Sequence, residues 1–397
     1  MGSHLDRVPS SGIIRIRDMM FTVKDPFRLD QGDVSFDAPD TVKQAMIRAL
    51  AENRTHYVQT AGIPALRQRL ADKLRRINGV PVRGPEEVLV SNGGIHAIYA
   101  VCHALLEPGD EVVIPDPLWP PAISIILSAH GVPVGCPLHE SMGWRWDLDE
   151  LRSTITPRTR ALYVNSPNNP TGGLLTRDDL EGFARLAAER GLWIISDEAY
   201  EDVIYEGPAH VSCASFDGLY ERTIPVYTFS KTYAMTGLRL GYLATCDSTL
   251  RDRILKVLTF TSSNVSSVVQ YGGVGALEGT QAFVDEFREE LRARRDLFFG
   301  AVGEASNGVL SGTPPAGAFY AFLRIRPDWQ PRPDVHPQGV PSSRSWAFVE
   351  ELIRLARVGC VPGADFGPHG EDHVRFCFAR ERAELLGALE SMRQLFH

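Results

Sequence analysis

The segment ALYVNSPNNPTGG, residues 161–173, joins a short apolar run to a turn rich in asparagine, proline and glycine. The run Ala161–Val164 is typical of a buried strand, because it is short, apolar and followed at once by turn residues. A turn that prolines fix at the carboxyl end of a strand can hold an amide side chain rigidly over a ligand. The simpler interpretation of the same residues is a tight loop with no further role.

The same arrangement recurs on both sides of this segment, between residues 40 and 279. Helical patterns alternate there with short apolar runs, which is typical of a doubly wound or related α/β sheet. Ligands of such sheets bind beyond the carboxyl ends of the strands, so we expect the polar residues that follow the strands to form one site. The predicted strands are Glu87–Val90, Glu111–Ile114, Ala161–Val164, Trp193–Ser196 and Val226–Phe229.

Composition and charge exclude several classes of protein. The 397 residues are 44% hydrophobic and 23% charged, which is typical of a globular protein large enough for two domains. The formal net charge of -8 and the lack of a Lys/Arg-rich block argue against nucleic acid as a partner. The six cysteines lie far apart and no apolar run is long enough to span a membrane. We therefore expect a soluble cytoplasmic protein with reduced thiols and no membrane association.

Two charged residues directly follow predicted strands. Lys231 follows the strand Val226–Phe229, where desolvation would lower its pKa and favour a neutral amine able to form a Schiff base. Asp197 follows the strand Trp193–Ser196, where a buried carboxylate needs a cationic partner such as a protonated pyridine nitrogen. Each residue also has a simpler interpretation. Lys231 would be a solvated lysine at a strand end, and Asp197 would be the N-cap of a helix.

Two other patterns carry less information. His369 and His373 are four residues apart, but Gly370 between them favours a loop over a pair of metal ligands. A glycine pattern that begins at Gly273 fails as a dinucleotide-binding fingerprint, because Glu278 stands where a glycine is needed. We therefore expect neither a metal ion nor a dinucleotide.

Three motifs in one order carry a resemblance to a known family. The motifs are NSPNNPTGG at 165–173, SDEAY at 196–200 and SKTYAMTGLRLGY at 230–242. Their order and spacing resemble the class I/II aminotransferases, which are fold-type I pyridoxal-phosphate enzymes related to aspartate aminotransferase. The resemblance covers nearly the whole chain. Its outer parts are VPSSGI at 8–13, YVQTAG at 57–62, VPGADFG at 361–367 and VRF at 374–376.

The resemblance implies a two-domain α/β fold. A large domain with a mixed sheet, residues 41–280, would bind pyridoxal 5′-phosphate. A smaller α+β domain would combine an N-terminal arm, residues 1–40, with the C-terminal part, residues 281–397. Enzymes of this kind form homodimers, so a second copy of the chain is an expected partner.

The resemblance also implies a role for each matched residue. Lys231 would carry the cofactor as a Schiff base and move the substrate proton, with Asp197 bonded to the pyridine nitrogen. Asn169 and Tyr200 would bond the 3′ oxygen of the ring. Trp119 would stack on the ring, unless it is a core tryptophan. The phosphate ligands would be Gly93, Gly94, Ile95, Thr228, Ser230, Arg239 and, from the neighbouring subunit, Tyr57.

Arg375, Gly32 and Asn169 match the substrate-binding residues of the family, with Arg375 as the partner of the α-carboxylate. The sequence departs from the family at two places. Ile95 replaces a polar residue, which removes one side-chain contact, and DVSF at 33–36 replaces the commoner EPDF near the substrate side chain. The amino donor therefore stays open among dicarboxylic, aromatic and aliphatic amino acids. A dicarboxylic donor would need a second cation, and the candidates in the arm are Arg15, Arg17 and Arg28.

The activity implied by the resemblance is amino transfer from an L-amino acid to a 2-oxo acid, with 2-oxoglutarate as the expected acceptor. The reaction would follow a ping-pong course through pyridoxamine phosphate. A β-lyase or a decarboxylase stays an alternative, because the cofactor motifs do not determine which bond at the substrate Cα breaks. A non-enzymatic protein that senses the cofactor is disfavoured, since about 40 residues before the large domain leave no room for a DNA-binding domain.

Overall fold

The structure is a computed structural model that describes residues 6, 8–9, 12–207, 209–336 and 339–397. Within these residues the chain forms twelve strands and twelve α-helices. The strands are β1 (Val88–Ser91), β2 (Glu111–Asp116), β3 (Val132–His139), β4 (Arg145–Trp146), β5 (Thr159–Asn165), β6 (Trp193–Asp197), β7 (Thr223–Thr228), β8 (Gly241–Ala244), β9 (Leu310–Ser311), β10 (Tyr320–Ile325), β11 (Val361–Pro362) and β12 (His373–Cys377). The helices are α1 (Gly12–Phe21), α2 (Asp40–Ala51), α3 (Pro64–Arg76), α4 (Gly93–Leu105), α5 (Pro120–Ser128), α6 (Leu148–Thr154), α7 (Arg177–Arg190), α8 (Ser248–Ser262), α9 (Ser267–Glu278), α10 (Ala282–Ala305), α11 (Arg344–Ala356) and α12 (Arg382–Phe396). Among the described residues, none of the helices has both the length and the apolar character that crossing a lipid bilayer requires.

Eight strands form one large sheet, in the order β1-β8-β7-β6-β5-β2-β3-β4. The pairs β2–β3, β2–β5, β5–β6 and β6–β7 are parallel. Strand β8 is antiparallel to both β7 and β1, and β4 is antiparallel to β3. The sheet is therefore mixed, as the resemblance implies. Strands β1, β2, β5, β6 and β7 run in one direction, so their carboxyl ends lie along one edge.

The five predicted strands are all present, as β1, β2, β5, β6 and β7, and their ends differ from the predictions by at most three residues. The sequence pattern did not reveal β3, β4 and β8. Strand β3 contains Pro133, Gly135 and Pro137, which are depleted in strands, and it lies near the edge of the sheet with two of its residues exposed. Strands β4 and β8 have only two and four residues, too short for a periodic pattern.

Helices cover both faces of the large sheet, because its central strands are apolar on both sides. Ile194 and Ile195 are adjacent in β6 and enter different apolar clusters. Ile195 belongs to the cluster that includes Ile98 of α4, whereas Ile194 belongs to the cluster that includes Phe183 of α7. With both faces covered, the carboxyl edge is the part of the sheet left for a binding site.

The remaining four strands form an antiparallel sheet in the order β11-β12-β10-β9. One apolar core joins this small sheet to α10, α11 and α12, and it also includes Ile16 and Met20 of α1. The N-terminal arm and the C-terminal part thus form one smaller α+β unit, which confirms the fold class. The domain boundaries near residues 40 and 280 stay a prediction.

Candidate active site

A cavity of about 270 Å³ lies at the carboxyl edge of the large sheet, with walls from both sheets and from α1. Residues at or just after the ends of β1, β2, β5, β6 and β7 line it, as the parallel topology predicts. All the site residues predicted from the sequence line this cavity except Gly93 and Tyr57. The predicted residues in its wall are Gly32, Gly94, Ile95, Trp119, Asn169, Asp197, Tyr200, Thr228, Ser230, Lys231, Arg239 and Arg375.

The chain has five lysines, all within the described residues, and Lys231 is the one that lines the cavity. Its Nζ donates a hydrogen bond of 2.6 Å to the carbonyl oxygen of Gly32. Desolvation lowers the pKa of Lys231 to about 8, although the nearby carboxylate of Asp33 acts in the opposite direction. A lysine with this pKa is partly neutral near pH 8, so it can act as a nucleophile or as a base.

Asp197 ends β6 and is buried. Its Oδ2 accepts a hydrogen bond of 2.7 Å from the hydroxyl of Tyr163, and its Oδ1 accepts one of 3.3 Å from the N–H of Ala199. Burial raises the pKa of Asp197 to about 6. The structure places a turn after Asp197, so the alternative of a helix N-cap is wrong. A cation placed beside this buried carboxylate would stabilise its charge.

Hydrogen-bond donors gather at the start of α4. The first N–H groups of this helix, which begins at Gly93, have no partner within the helix and favour an anion. A Cβ at Gly93 would lie 2.4 Å from Nη2 of Arg239, so the glycine makes room for this guanidinium. The hydroxyl of Thr228 donates to that of Ser230 over 2.9 Å in the same cavity wall. This set of donors suits a phosphate group.

Arg375, in β12, is 2% exposed. Its Nη1 donates to Oδ1 of Asn169 over 3.0 Å, and its Nη2 donates to the carbonyl oxygen of Asp30 over 3.0 Å. Its Nε is buried and has no hydrogen-bond partner among the described residues. A buried guanidinium that bonds two neutral oxygens and keeps an unpaired N–H favours the arrival of a carboxylate.

Asn165 ends β5 and holds the proline-rich turn in place. Its Nδ2 donates to the carbonyl oxygen of Asp197 over 3.0 Å, and its Oδ1 accepts a hydrogen bond of 2.8 Å from the N–H of Asn169. The turn is therefore fastened to β6, which positions the Asn169 side chain at Arg375. Asn165 begins the motif NSPNNPTGG at 165–173, but no role for it was predicted from the sequence.

Tyr320 also lines the cavity and was missed by sequence reasoning. Its hydroxyl oxygen lies 2.8 Å from that of Tyr200, and its ring centre lies 4.4 Å from Cζ of Arg375. No local motif marks Tyr320, because it reaches the cavity through the pairing of β10 with β12, where it lies opposite Cys377. Such a pairing between distant segments leaves no signal in the neighbouring residues.

Two groups of predicted residues lie away from the cavity. The side chain of Tyr57 is 91% exposed and does not line the cavity of its own chain. The three arginines considered for a dicarboxylic donor bond other carboxylates and do not line the cavity either. Their partners are Glu350 for Arg15, Asp18 for Arg17 and Asp30 for Arg28.

Three further sequence predictions have mixed outcomes. Trp119 lines the cavity and also packs against the apolar cluster of the large sheet, so both interpretations of this residue remain compatible with the structure. The loop predicted between His369 and His373 is present, as a short 3-10 turn at Pro368–Gly370 and a turn at 371–372, and His373 itself begins β12. Ser10 and Ser11, in the segment VPSSGI at 8–13, lie outside the described residues.

The chain is similar to known proteins over nearly its whole length. The family model described as aminotransferase class I and II matches residues 24–392. The chain belongs to the class I and II aminotransferases. This aminotransferase is 36% identical to the aspartate aminotransferase of Pyrococcus abyssi, over 100% of this chain and 98% of that protein.

Two other proteins show the same relationship. The aminotransferase is 34% identical to aromatic-amino-acid aminotransferase 2 of Thermococcus litoralis, over 100% of this chain and 98% of that protein. The structure of Thermus thermophilus aspartate aminotransferase with maleate has a TM-score of 0.89 at 34% identity, covering 100% of this chain and 99% of that one. The fold is therefore that of the fold-type I aminotransferases.

The enzyme is pyridoxal-phosphate dependent, as a member of this family. The side chains of the cavity fit this cofactor. Asp197 offers a buried carboxylate to a ring nitrogen, Lys231 offers an amine that can form a Schiff base, and the donors around Arg239 suit a phosphate. Arg375 lines the same cavity, and its guanidinium suits a second anionic group.

Proposed function

We propose that this aminotransferase moves the amino group of an L-amino acid to a 2-oxo acid, with 2-oxoglutarate as the acceptor, by a ping-pong mechanism. The observation that carries the proposal concerns the segment at residues 30–32. The carbonyl oxygen of Asp30 accepts a hydrogen bond from Arg375, and that of Gly32 accepts one from Nζ of Lys231. A substrate whose α-carboxylate binds Arg375 would therefore have its Cα near Lys231.

Lys231 and Asp197 would have separate roles in amino transfer. Pyridoxal phosphate, when bound, supplies an electron sink at the substrate Cα and stores the amino group between the two half-reactions. Nζ of Lys231 would accept the proton of the substrate Cα and deliver it to C4′ of the cofactor within the same half-reaction, since a pKa of about 8 makes the neutral amine accessible. The carboxylate of Asp197 stabilises positive charge on the ring nitrogen.

Other residues would orient the cofactor. Tyr200 and Asn169 would bond the 3′ oxygen of the ring, and Trp119 would cover one face of it. Gly32 borders the substrate. The phosphate would lie among the N–H groups of Gly94 and Ile95, the side chains of Thr228, Ser230 and Arg239, and Tyr57 from the neighbouring subunit, with Gly93 making room for Arg239.

The proposed functional unit is a homodimer. Tyr57 is 91% exposed and Phe260 is 88% exposed, and exposed aromatic side chains of this kind are often buried at contacts between chains. A dimer would allow Tyr57 to reach the phosphate held by the neighbouring subunit. Sedimentation equilibrium should give twice the chain mass of 43.9 kDa. A single-chain mass at the protein concentration of an active assay would contradict the dimer.

We further propose that the enzyme works in the cytoplasm. All six cysteines are free thiols, and five of them are buried. Free thiols are typical of a reducing compartment. Thiol labelling in intact cells, followed by mass spectrometry, should find the cysteines reduced, whereas an intramolecular disulfide would argue for another compartment.

Separating the two half-reactions tests the proposed transfer. The loaded enzyme, mixed with an L-amino acid and no 2-oxo acid, should release about one equivalent of the matching oxo acid per active site and then stop. Adding 2-oxoglutarate should restart the reaction and produce glutamate. Continuous release of ammonia with an oxo acid would instead indicate a β-lyase, and release of carbon dioxide would indicate a decarboxylase.

A further inference from the structure

Tyr320 makes a hydrogen bond to a residue of the cofactor site. Its hydroxyl oxygen lies 2.8 Å from that of Tyr200, and both side chains are buried. The two rings meet edge to face, with centroids 5.7 Å apart. Burial keeps the pKa of Tyr200 well above its usual value, so this hydroxyl stays protonated. A tyrosine hydroxyl has one donor and two acceptor positions, so Tyr200 can accept from Tyr320 while it donates to a ligand.

The ring of Tyr320 also supports the guanidinium of the substrate site. Cζ of Arg375 lies 4.4 Å from the centre of this ring, within the range of a cation–π contact. The ring of Phe366 lies 5.0 Å from the same atom. These two rings restrict the plane of the guanidinium and therefore the direction of its N–H groups, including the unpaired Nε.

A third contact connects Tyr320 with the segment beside Lys231. A Cβ at Gly32 would lie 2.4 Å from the hydroxyl oxygen of Tyr320, so the tyrosine approaches the backbone closely there. The carbonyl oxygen of the same glycine accepts the hydrogen bond from Nζ of Lys231. Tyr320, from the small sheet, therefore contacts three groups of the cavity wall. These are the hydroxyl of Tyr200, the guanidinium of Arg375 and Gly32, which bonds Lys231.

We propose that Tyr320 is a positioning residue that couples Tyr200, on the cofactor side of the cavity, to Arg375, on the substrate side. The inference rests on the proposed function, because it takes Tyr200 as a ring ligand and Arg375 as the carboxylate ligand. The hydroxyl of Tyr320 donates to Tyr200 and strengthens Tyr200 as a donor, since hydrogen bonds in a chain polarise one another. The ring of Tyr320 fixes the guanidinium of Arg375 for a two-point contact with the carboxylate.

Two substitutions separate the hydroxyl from the ring. Tyr320→Phe keeps the ring over Arg375 and removes the bond to Tyr200. The hydroxyl of Tyr200 would then be a weaker donor to the 3′ oxygen of the cofactor. The bound cofactor should therefore lose its proton at a higher pH. We expect the pH midpoint of the cofactor absorbance to rise by about 0.5 unit, while binding of a non-reacting carboxylate stays within about twofold of wild type.

Tyr320→Leu removes both contacts. The absorbance midpoint should rise as in Tyr320→Phe. In addition, a carboxylate should bind about tenfold more weakly, which corresponds to the loss of a cation–π contact of ordinary strength. Succinate and 3-phenylpropionate serve as the probes, measured by calorimetry on the loaded enzyme, because the class of amino donor is open. Circular dichroism checks that each variant is folded.

Tyr205 provides a matched control. It is buried in the same core as Tyr320, and Cζ of Arg295 lies 4.9 Å from its ring centre. In the part of the chain that the structure describes, its hydroxyl has no hydrogen-bond partner. Tyr205 is outside the lining of the cavity. Tyr205→Phe and Tyr205→Leu should therefore move neither the absorbance midpoint nor the carboxylate affinity.

The outcomes distinguish this coupling from the proposed function. An unchanged absorbance midpoint in Tyr320→Phe overturns the coupling to Tyr200, and this variant tests it even if Tyr320→Leu does not fold. Unchanged carboxylate affinity in a folded Tyr320→Leu overturns the coupling to Arg375. If the variants show these shifts but the wild-type enzyme transfers no amino group, the coupling stands and amino transfer is refuted.

Discussion

The two sides of the cavity are constructed differently. The cofactor side, proposed to bind pyridoxal phosphate, includes Gly94, Asp197, Tyr200, Thr228, Ser230, Lys231 and Arg239, and the substrate side, proposed to bind the amino acid, includes Ile13, Gly32, Tyr320 and Arg375. The cofactor side comes from strand ends and turns of one sheet, within residues 94–239. The substrate side brings together α1, a segment after it and two strands of the small sheet. The first side depends on the topology of a sheet, and the second depends on the packing of distant segments against each other.

The two arginines of the cavity show what this difference means. Arg239 is exposed, has a left-handed backbone with φ 56°, and donates to the carbonyl oxygen of Thr236 over 2.7 Å. Arg375 is buried, and its guanidinium contacts Asn169, Asp30 and Tyr320. Arg239 can adjust to an anion, whereas the surroundings of Arg375 fix its direction in advance. We therefore expect the substrate side to tolerate less change in geometry.

The largest effect should come from Lys231→Ala on the cofactor side. Loss of the base should lower kcat for amino transfer by about 10,000-fold or more, the upper range for general acid–base catalysis. Circular dichroism should show an unchanged fold. Lys256→Ala, at an exposed position of α8, is the matched control and should keep wild-type activity. Activity of Lys231→Ala within tenfold of wild type would remove this lysine from its proposed role.

On the substrate side, Arg375→Lys should lower kcat/KM for amino acids by about 100-fold. Lysine keeps the charge but loses the planar fork, and hydrogen bonds to a charged group are each worth about 1.5–3 kcal/mol. The affinity for pyridoxal phosphate should stay unchanged, because Arg375 belongs to the other side of the cavity. Arg382→Lys, at an exposed ion pair with Glu290, serves as the control. An equal loss of cofactor affinity would show that the two sides are not separate.

The different construction of the two sides of the cavity explains how much of the site could be predicted from the sequence. The turn at 165–173, the carboxylate of Asp197 and the amine of Lys231 directly follow strands whose apolar runs are visible in the sequence, so their meeting at one edge follows from parallel topology. Tyr320 and Ile13 could not be placed in this way. They reach the cavity because β10 pairs with β12 and because α1 packs into the core of the small sheet.

A smaller effect tests the electrostatics of the cofactor side through pH. In the proposed mechanism the neutral amine of Lys231 would condense with the cofactor aldehyde, with loss of water, and the pKa of Lys231, about 8, lies below the usual value of a lysine. Since the ammonium form predominates below pH 8 and the amine above it, the rate of cofactor loading should rise about tenfold between pH 7 and pH 9 and then level off. A free lysine derivative, as the reference, should still gain rate up to about pH 10.4. A loading rate that follows the reference would contradict the lowered pKa.

The smallest effect concerns the contact between subunits. Tyr57→Phe keeps the exposed ring and removes the hydroxyl proposed to reach the phosphate. One hydrogen bond of about 1 kcal/mol corresponds to a dissociation constant for pyridoxal phosphate raised about fivefold. Equilibrium dialysis measures this constant, and sedimentation should show the same assembly as wild type. An unchanged constant in an intact dimer would place Tyr57 outside the cofactor site.

The identity of the lysine that binds the cofactor tests the central claim most directly. The protein is loaded with pyridoxal phosphate, reduced with borohydride and digested, and the labelled peptide is identified by mass spectrometry. The chain offers five lysines, at positions 24, 43, 73, 231 and 256. The account predicts the reduced cofactor on Lys231 alone. A label on any of the other four, with Lys231 unmodified, would contradict the assignment of this cavity as the active site.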